Sequence, residues 1–549
     1  MRLLQIALLT LPTVWANPAK FDTKFDPLEA TISSVHEALF RRTTSCREIV
    51  SAFLSRIEAY NADVNALMTL NPDALAIADE MDTALHTGRH MTSQPLFCIP
   101  IVLKDNYNTA NMNTTGGCLA LNGSRPSTDA AAVTALRDAG AIILGKSTLH
   151  ELALEGLTVS SAGGQTLNPY DLTRTPGGSS GGTAVSVASS FAVFGTGSDT
   201  VNSLRSPASA NSLFSIRPTR GLISRAGIIP ISYTQDVIGP IGRSIEDVAT
   251  ALTVMASVGY DPADNATALV PPAVMGVNYA EGLRRGSLHG VRLGLVTTLF
   301  NRTASEETTP VNEVMDAMVA SLKAAGAIVV PVNESIYNSG ALSAAFDVQS
   351  LEYREALDNY LQDPSLGGVH PTSFDELYHG HEFLVIPTQY SFIDTAMVSS
   401  TGNASYFLKQ QGIRNLTVAL ASTFKADCLD ALIYPEQQNL VVKVGSPSQS
   451  GRNGILGALT GSPVVVVPAG FSPPTSEAPI GVPIGMEILG LPWTEPKLLN
   501  IAAHITDLKT VRRTPTLMDK PVSVRDYTSM PTIIPNTHNI APVYPIGVL

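Results

Sequence analysis

The chain has 549 residues, 44% apolar and 15% charged, which is enough apolar surface for a large core and excludes wholesale disorder. Its 35 basic and 47 acidic side chains give a net charge of −12, which argues against a nucleic-acid binder or a polybasic membrane binder. Four cysteines are too few for a disulfide scaffold, and no Cys-x-x-Cys spacing points to zinc.

Residues 1–16 read as a secretory signal peptide. Arg2 supplies a basic start, Leu3 to Leu11 a short, mostly apolar run, and Val14-Trp15-Ala16 a cleavage site ending in a small residue. A buried N-terminal strand is the alternative. Nine residues cannot span a bilayer, and no later stretch reaches the ~18 apolar residues a spanning helix needs. A secreted protein without a membrane span is the expectation. Glycosylation sequons at Asn113, Asn122, Asn265, Asn301, Asn333, Asn403 and Asn415 agree with it. In an oxidising compartment Cys46, Cys98, Cys118 and Cys428 can form two bridges in three pairings, or some can remain buried thiols.

Ser45-Cys46-Arg47-Glu48 is a capping-box pattern, and Ile49, Val50, Phe53, Leu54 and Ile57 follow at helical spacing. Phe97 to Leu103 is a short apolar run, hence a strand. Asp129 to Ala139 reads as a helix stopped by Gly140, and Ala141 to Leu144 as the next strand. Strand-like runs recur at Leu293–Val296, Ala327–Val330, Ala431–Tyr434, Val464–Val467 and Ile484–Leu489. Helical patterns such as Val311 to Ala325 lie between most of them. This alternation predicts an α/β fold around a largely buried sheet. A length of 549 allows several domains. The absence of a long linker favours one domain over residues 17–549. The stretch from Ala341 to Asp427 is the least regular, and the Pro-rich tail after Thr514 is expected to wrap the surface.

Three short motifs fail on context. Gly140 to Ser147 matches a phosphate-binding loop, but its variable residues Ala-Ile-Ile-Leu form an apolar strand that cannot curl around phosphate. Gly177-Gly178-Ser179-Ser180-Gly181 fits a nucleophile elbow, yet turn-like residues precede it instead of a strand. Its required histidine would be His504, on an ordinary amphipathic pattern. Ser422-Thr423-Phe424-Lys425 has serine and lysine at the spacing used by penicillin-recognising enzymes, without their companion elements. His379-Gly380-His381 stands apart from any cysteine cluster and reads as a surface loop, so no metal or other cofactor is expected.

Two segments do carry chemistry. The run Gly177 to Gly182 leads into the largely apolar Thr183 to Ala188, which a flexible linker would not do. Such a run permits close backbone approach, and the helix it opens presents free amides. In Gly197 to Ala208, Asp199 and Arg205 can pair and fix a tight turn around Ser203. Adjacent amides of such a turn suit an oxyanion. A polar loop with a structural ion pair is the plainer alternative.

Together these segments resemble the amidase signature family. The likeness extends upstream to Ile99-Pro100-Ile101-Val102-Leu103-Lys104-Asp105-Asn106. Downstream it takes in Arg217 to Ser224, Gly239-Pro240-Ile241 through Asp247, Gly461 to Gly470, and Pro483 to Met486. Its motifs lie at 95–260 and 455–510. The stretch 270–450 matches poorly and is expected to cover the active site and set specificity.

The resemblance implies one α/β/α domain with a mixed central β-sheet and a Ser–cis-Ser–Lys triad. Lys104 holds the family's lysine position, Ser179 the bridging serine, and Ser203 the nucleophile. Backbone N–H groups of Thr200, Val201, Asn202 and Ser203 would bind the oxyanion, with Ser180, Asp199 and Arg205 in support. A serine hydroxyl needs a base, and lysine serves only when neutral. Lowering its pKa from ~10.4 to ~7.5 takes about 4 kcal/mol, which burial can supply. Val201-Asn202 stands where the family has Gly-Gly, and this bears on substrate scope. The expectation is a secreted, glycosylated amidohydrolase acting on a small-molecule amide, with a homodimer left open. Two rivals are an acyltransferase or esterase using the same triad, and a catalytically inactive ligand-binding relative.

Overall fold

The computed structural model of the protein describes residues 25–86 and 94–549. The expected signal segment, 1–16, lies outside them. An eleven-stranded mixed sheet organises the fold. Its strands run in the order Leu67–Leu70, Ala141–Ser147, Ile99–Lys104, Phe194–Asp199, Val237–Gly242, Phe214–Arg217, Val464–Phe471, Pro483–Leu489, Ala431–Pro435, Arg292–Val296 and Ile328–Val332. Strand Ile99–Lys104 is parallel to both its neighbours, whereas the central strands from Phe194–Asp199 to Ala431–Pro435 pair antiparallel.

Alternation along one central strand shows why both faces are covered. Val465 and Val467 join the core that holds the Ile245–Ala256 and Glu495–Leu508 helices. Val464 packs with Leu456 and Leu459, and Val466 with Ala184, Leu204 and Ala208, on the opposite face. Helices therefore sandwich a sheet buried on both sides, the expected α/β architecture.

The local expectations largely hold. Ser45 caps the Cys46–Val64 helix, accepting from Glu48 N while the Glu48 side chain accepts from Ser45 N. The strand expected at Ala141–Leu144 continues to Ser147, so Gly145, Lys146 and Ser147 are extended and bind no phosphate loop-fashion. Lys146 Nζ instead lies 2.9 Å from Asp105 Oδ1, a buried ion pair. Ser422 and Lys425 sit exposed on the Ala404–Ala426 helix, and His379 and His381 are exposed too. The tail follows the surface: Met518 O accepts from Arg56, Asn536 N donates to Asn65, and Gly547 N donates to Phe383 O.

One expectation is corrected, and one open alternative is decided. The stretch 341–427 is mostly helical, in Ser339–Phe346, Gln349–Leu361, Phe374–His379, Tyr390–Val398 and Ala404–Ala426. Its pattern is blurred because apolar Phe407, Leu408 and Val418 face outward on the last helix beside buried Ile413, Leu416 and Leu420. Only one of two bridges forms: Cys46 pairs with Cys98, while Cys118 is buried and Cys428 exposed as free thiols. Of the sequon asparagines, Asn122, Asn265, Asn333 and Asn415 are exposed, and Asn113, Asn301 and Asn403 are half-buried.

Candidate active site

Lys104 ends a strand in which every residue is buried, so its side chain has no route to water. Its Nζ is 2.7 Å from Ser179 Oγ and 2.8 Å from Ser198 Oγ. Asn106 Nδ2 also donates to Ser198 Oγ, at 3.0 Å. Burial drives the Lys104 ammonium down to about 7, and the carboxylates of Asp199 and Asp236 only partly offset it. Near neutral pH the group is therefore divided between amine and ammonium.

Ser179 follows a cis peptide bond from Gly178, the geometry the family resemblance implied. Gly177 has φ +71°, open to glycine at little cost. At Gly178 a Cβ would stand 2.5 Å from Thr158 Oγ1, so the backbone passes too close for a side chain. The carbonyl of Ser179 accepts from His150 N at 3.1 Å. Ser180 opens the fully buried Gly181–Ala188 helix, which rules out a flexible linker here. Its Oγ donates to Ser198 O, and its N–H to Ser203 O at 3.3 Å.

Ser203 lies in the turn between strand Phe194–Asp199 and helix Arg205–Ala210. Asp199 and Arg205 do pair, with Nε 3.0 Å from Oδ2, and Asp199 also accepts from Leu204 N. Arg217 reaches the other Asp199 oxygen at 2.7 Å, and Arg205 spans to Glu487 at 2.9 Å. Burial alone would raise the Asp199 carboxyl, but the two guanidinium groups outweigh it and hold it at about 2. Arg205 further donates to Val201 O and to Gly454 O. Among the described residues, the N–H groups of Thr200, Val201, Asn202 and Ser203 donate to no backbone or side-chain acceptor. They are available for an oxyanion. Ser203 is 8% exposed. Its Oγ makes no hydrogen bond to Ser179 Oγ in this structure, so of the two expected links only Lys104–Ser179 is formed.

Two cavities flank this turn. One, of about 230 Å³, is lined by Ser198, Thr200, Ile229, Ile231, Val237 and Tyr360, and is mostly apolar. The other, of about 470 Å³, is bounded by Val201, Ser339, Asp347, Gln389, Gln449 and Arg452, and is polar. The poorly matching stretch 270–450 supplies wall residues to both.

Ser198, Asn106, His150, Arg217, Glu436 and Glu487 received no role from sequence reasoning. Glu487 had a usable signal: a carboxylate inside an apolar strand must be paired. Ser198 offered none beyond lying next to Asp199. Among the described residues no group of three or more His, Cys, Asp or Glu is placed to hold a metal ion. None of their helices is long and apolar enough to cross a membrane.

A mixed sheet whose parallel strand ends at a buried Lys104 of lowered pKa, set against Ser179, is an arrangement suited to an amidase-type enzyme. The family profile described as Amidase matches residues 48–499. A probable amidase of Arabidopsis thaliana is 31% identical over 515 residues, 91% of this chain and 94% of that protein. A chloroplastic/mitochondrial glutamyl-tRNA(Gln) amidotransferase polypeptide of Zea mays is 32% identical over 87% of this chain and 89% of its own. The native peptide amidase of Stenotrophomonas maltophilia superposes with a TM-score of 0.76 at 32% identity, covering 90% of this chain and 99% of that one. The chain belongs to the amidase signature family.

Proposed function

We propose that this protein is a secreted, glycosylated amidohydrolase that cleaves a carboxamide C–N bond through an acyl-enzyme on Ser203. The observation that carries the reading is the contact of the buried Lys104 amine, its pKa lowered to about 7, with Ser179 Oγ at 2.7 Å. Lys104 takes a proton from Ser179 as Ser179 takes one from Ser203, whose Oγ attacks the substrate carbonyl. For this, Ser203 Oγ turns onto Ser179 Oγ when substrate binds, as catalytic contacts often tighten only in the complex. The N–H groups of the 200–203 turn receive the oxyanion. The same relay, reversed, protonates the leaving amine, and water then releases the acyl group.

The cavity of about 230 Å³ beside Thr200, walled by Ile229, Ile231 and Val237 and edged by Arg225, Asp236 and Asp264, favours a small amide with an apolar part and a polar end. Secretion and glycosylation rest on the N-terminal apolar run and the exposed sequons. They are tested by expression of the full chain in a eukaryotic host, with recovery from the medium and a glycosidase mobility shift. The activity is tested by fluorophosphonate labelling of the folded protein. Label on Ser203, lost in Ser203→Ala and in Lys104→Met, supports it. A folded, unlabelled protein rejects it. Adding hydroxylamine during amide turnover separates hydrolysis from acyl transfer.

A further inference from the structure

Position 202 carries asparagine where the family resemblance leads one to expect glycine. The Asn202 side chain is 1% exposed, and its Nδ2 donates to Glu436 Oε1 at 3.0 Å. Glu436 is fully buried and fixed by its own backbone: its N–H donates to Gly485 O and its carbonyl accepts from Asn453 N, both at 3.1 Å. Asn453 is held in turn by bonds from Nδ2 to Leu299 O and Pro435 O. The next residue, Gly454, lies directly against the turn. A Cβ there would stand 2.4 Å from Val201 O and 2.5 Å from Asn202 Cβ. Its carbonyl accepts from Arg205 Nη2, the group that also donates to Val201 O. The side-chain volume present at 202 is thus matched by side-chain volume missing at 454. Neither Val201 nor Asn202 has a positive φ, so the turn does not depend on glycine's left-handed conformation.

We propose that Asn202, Glu436 and Gly454 form a clasp that fixes the 200–203 turn, making Asn202 and Glu436 positioning residues for the oxyanion-binding N–H groups. The proposal rests on the reading of Ser203 as the nucleophile. A Gly-Gly pair lets the backbone approach its neighbours unhindered. A side chain at 202 gives the turn a handle that glycine lacks, and the buried bond to Glu436 ties that handle to the end of strand Ala431–Pro435. Burial, reinforced by the neighbouring Glu487 charge, pushes the Glu436 carboxyl towards its protonated form. Glutamine at 436 therefore reproduces both its shape and its acceptor.

The test is the rate of fluorophosphonate labelling at Ser203, resolved into kinact and KI, in the full-length protein. Glu436→Leu strands a buried donor and should lower kinact about tenfold or more, with KI little changed. Glu436→Gln should lose several-fold less. In an Asn202→Gly background the Glu436→Leu penalty should disappear, because its route to the turn is gone. Equal losses in the Leu and Gln variants, or a penalty that persists in the Gly background, overturn the clasp. If Glu436→Leu does not fold, Gly454→Ala takes its place. It should lower kinact, because its Cβ meets both Val201 O and Asn202 Cβ; an unchanged kinact overturns the clasp. An unlabelled wild type overturns the nucleophile reading itself, whereas a labelled wild type with additive variants overturns the clasp alone.

Discussion

Lys104 Nζ stands 2.7 Å from Ser179 Oγ, and neither residue has any exposed surface. The lysine therefore titrates at about 7 instead of 10.5, and only the neutral amine can accept a proton. Acylation of Ser203 should fall about tenfold per pH unit below 7 and level off above it. A pH profile of labelling rate measures this. A midpoint near the ordinary lysine value would contradict it.

The same shift sets a stability trend. Between pH 7 and 10.5 the unfolded chain binds a proton at Lys104 that the folded chain does not, so stability rises with pH there. The burial cost is complete below pH 7. Lys104→Met should accordingly raise Tm at pH 6, and by more than at pH 10. Calorimetry at the two pH values decides it.

Arg205 is fully buried between Asp199 and Glu487. Arg205→Met leaves Glu487 without its cation and Asp199 with Arg217 alone. The expected loss is about 3–5 kcal/mol, the usual cost of stranding a buried charge. Urea unfolding gives the figure, and a loss below ~1 kcal/mol would mean the network relaxes freely.

The Cys46–Cys98 bridge closes a loop with a sequence separation of 52. By loop-closure entropy its removal in Cys46→Ser/Cys98→Ser should cost about 4 kcal/mol. Thiol titration of the wild type should find one reactive group in the native protein, Cys428, and a second, Cys118, only after denaturation. Zero or four thiols in the denatured, non-reduced protein would refute the pairing.

Much of the fold was legible because the sheet is buried on both faces. Strands such as Ala431–Pro435 and Val464–Phe471 then read as continuous apolar runs. The helices of 341–427 were not legible, because residues such as Phe407 and Leu408 face outward and break the period. The site split the same way. Lys104, Ser179 and Ser203 stood in ordered local motifs, whereas Glu436 and Gly454 lie in or beside the stretch that matches the family least.

The sequence by itself determined the α/β alternation, the capped helix at Ser45, the Asp199–Arg205 pair and the three residues on which the chemistry is proposed to rest. The first three depend on patterns along the chain, which survive in the sequence, and the three residues follow from the resemblance to the family's motifs. Tertiary structure alone decided that Cys46 takes Cys98, that Ser198 shares the lysine, and that Glu436 reaches Asn202 across 234 residues. Ser198 meets Lys104 because their strands lie side by side in the sheet, whereas Cys46 reaches Cys98 from a helix and Glu436 reaches Asn202 from the end of a strand that is not its neighbour, so these contacts are fixed by packing summed over the whole core.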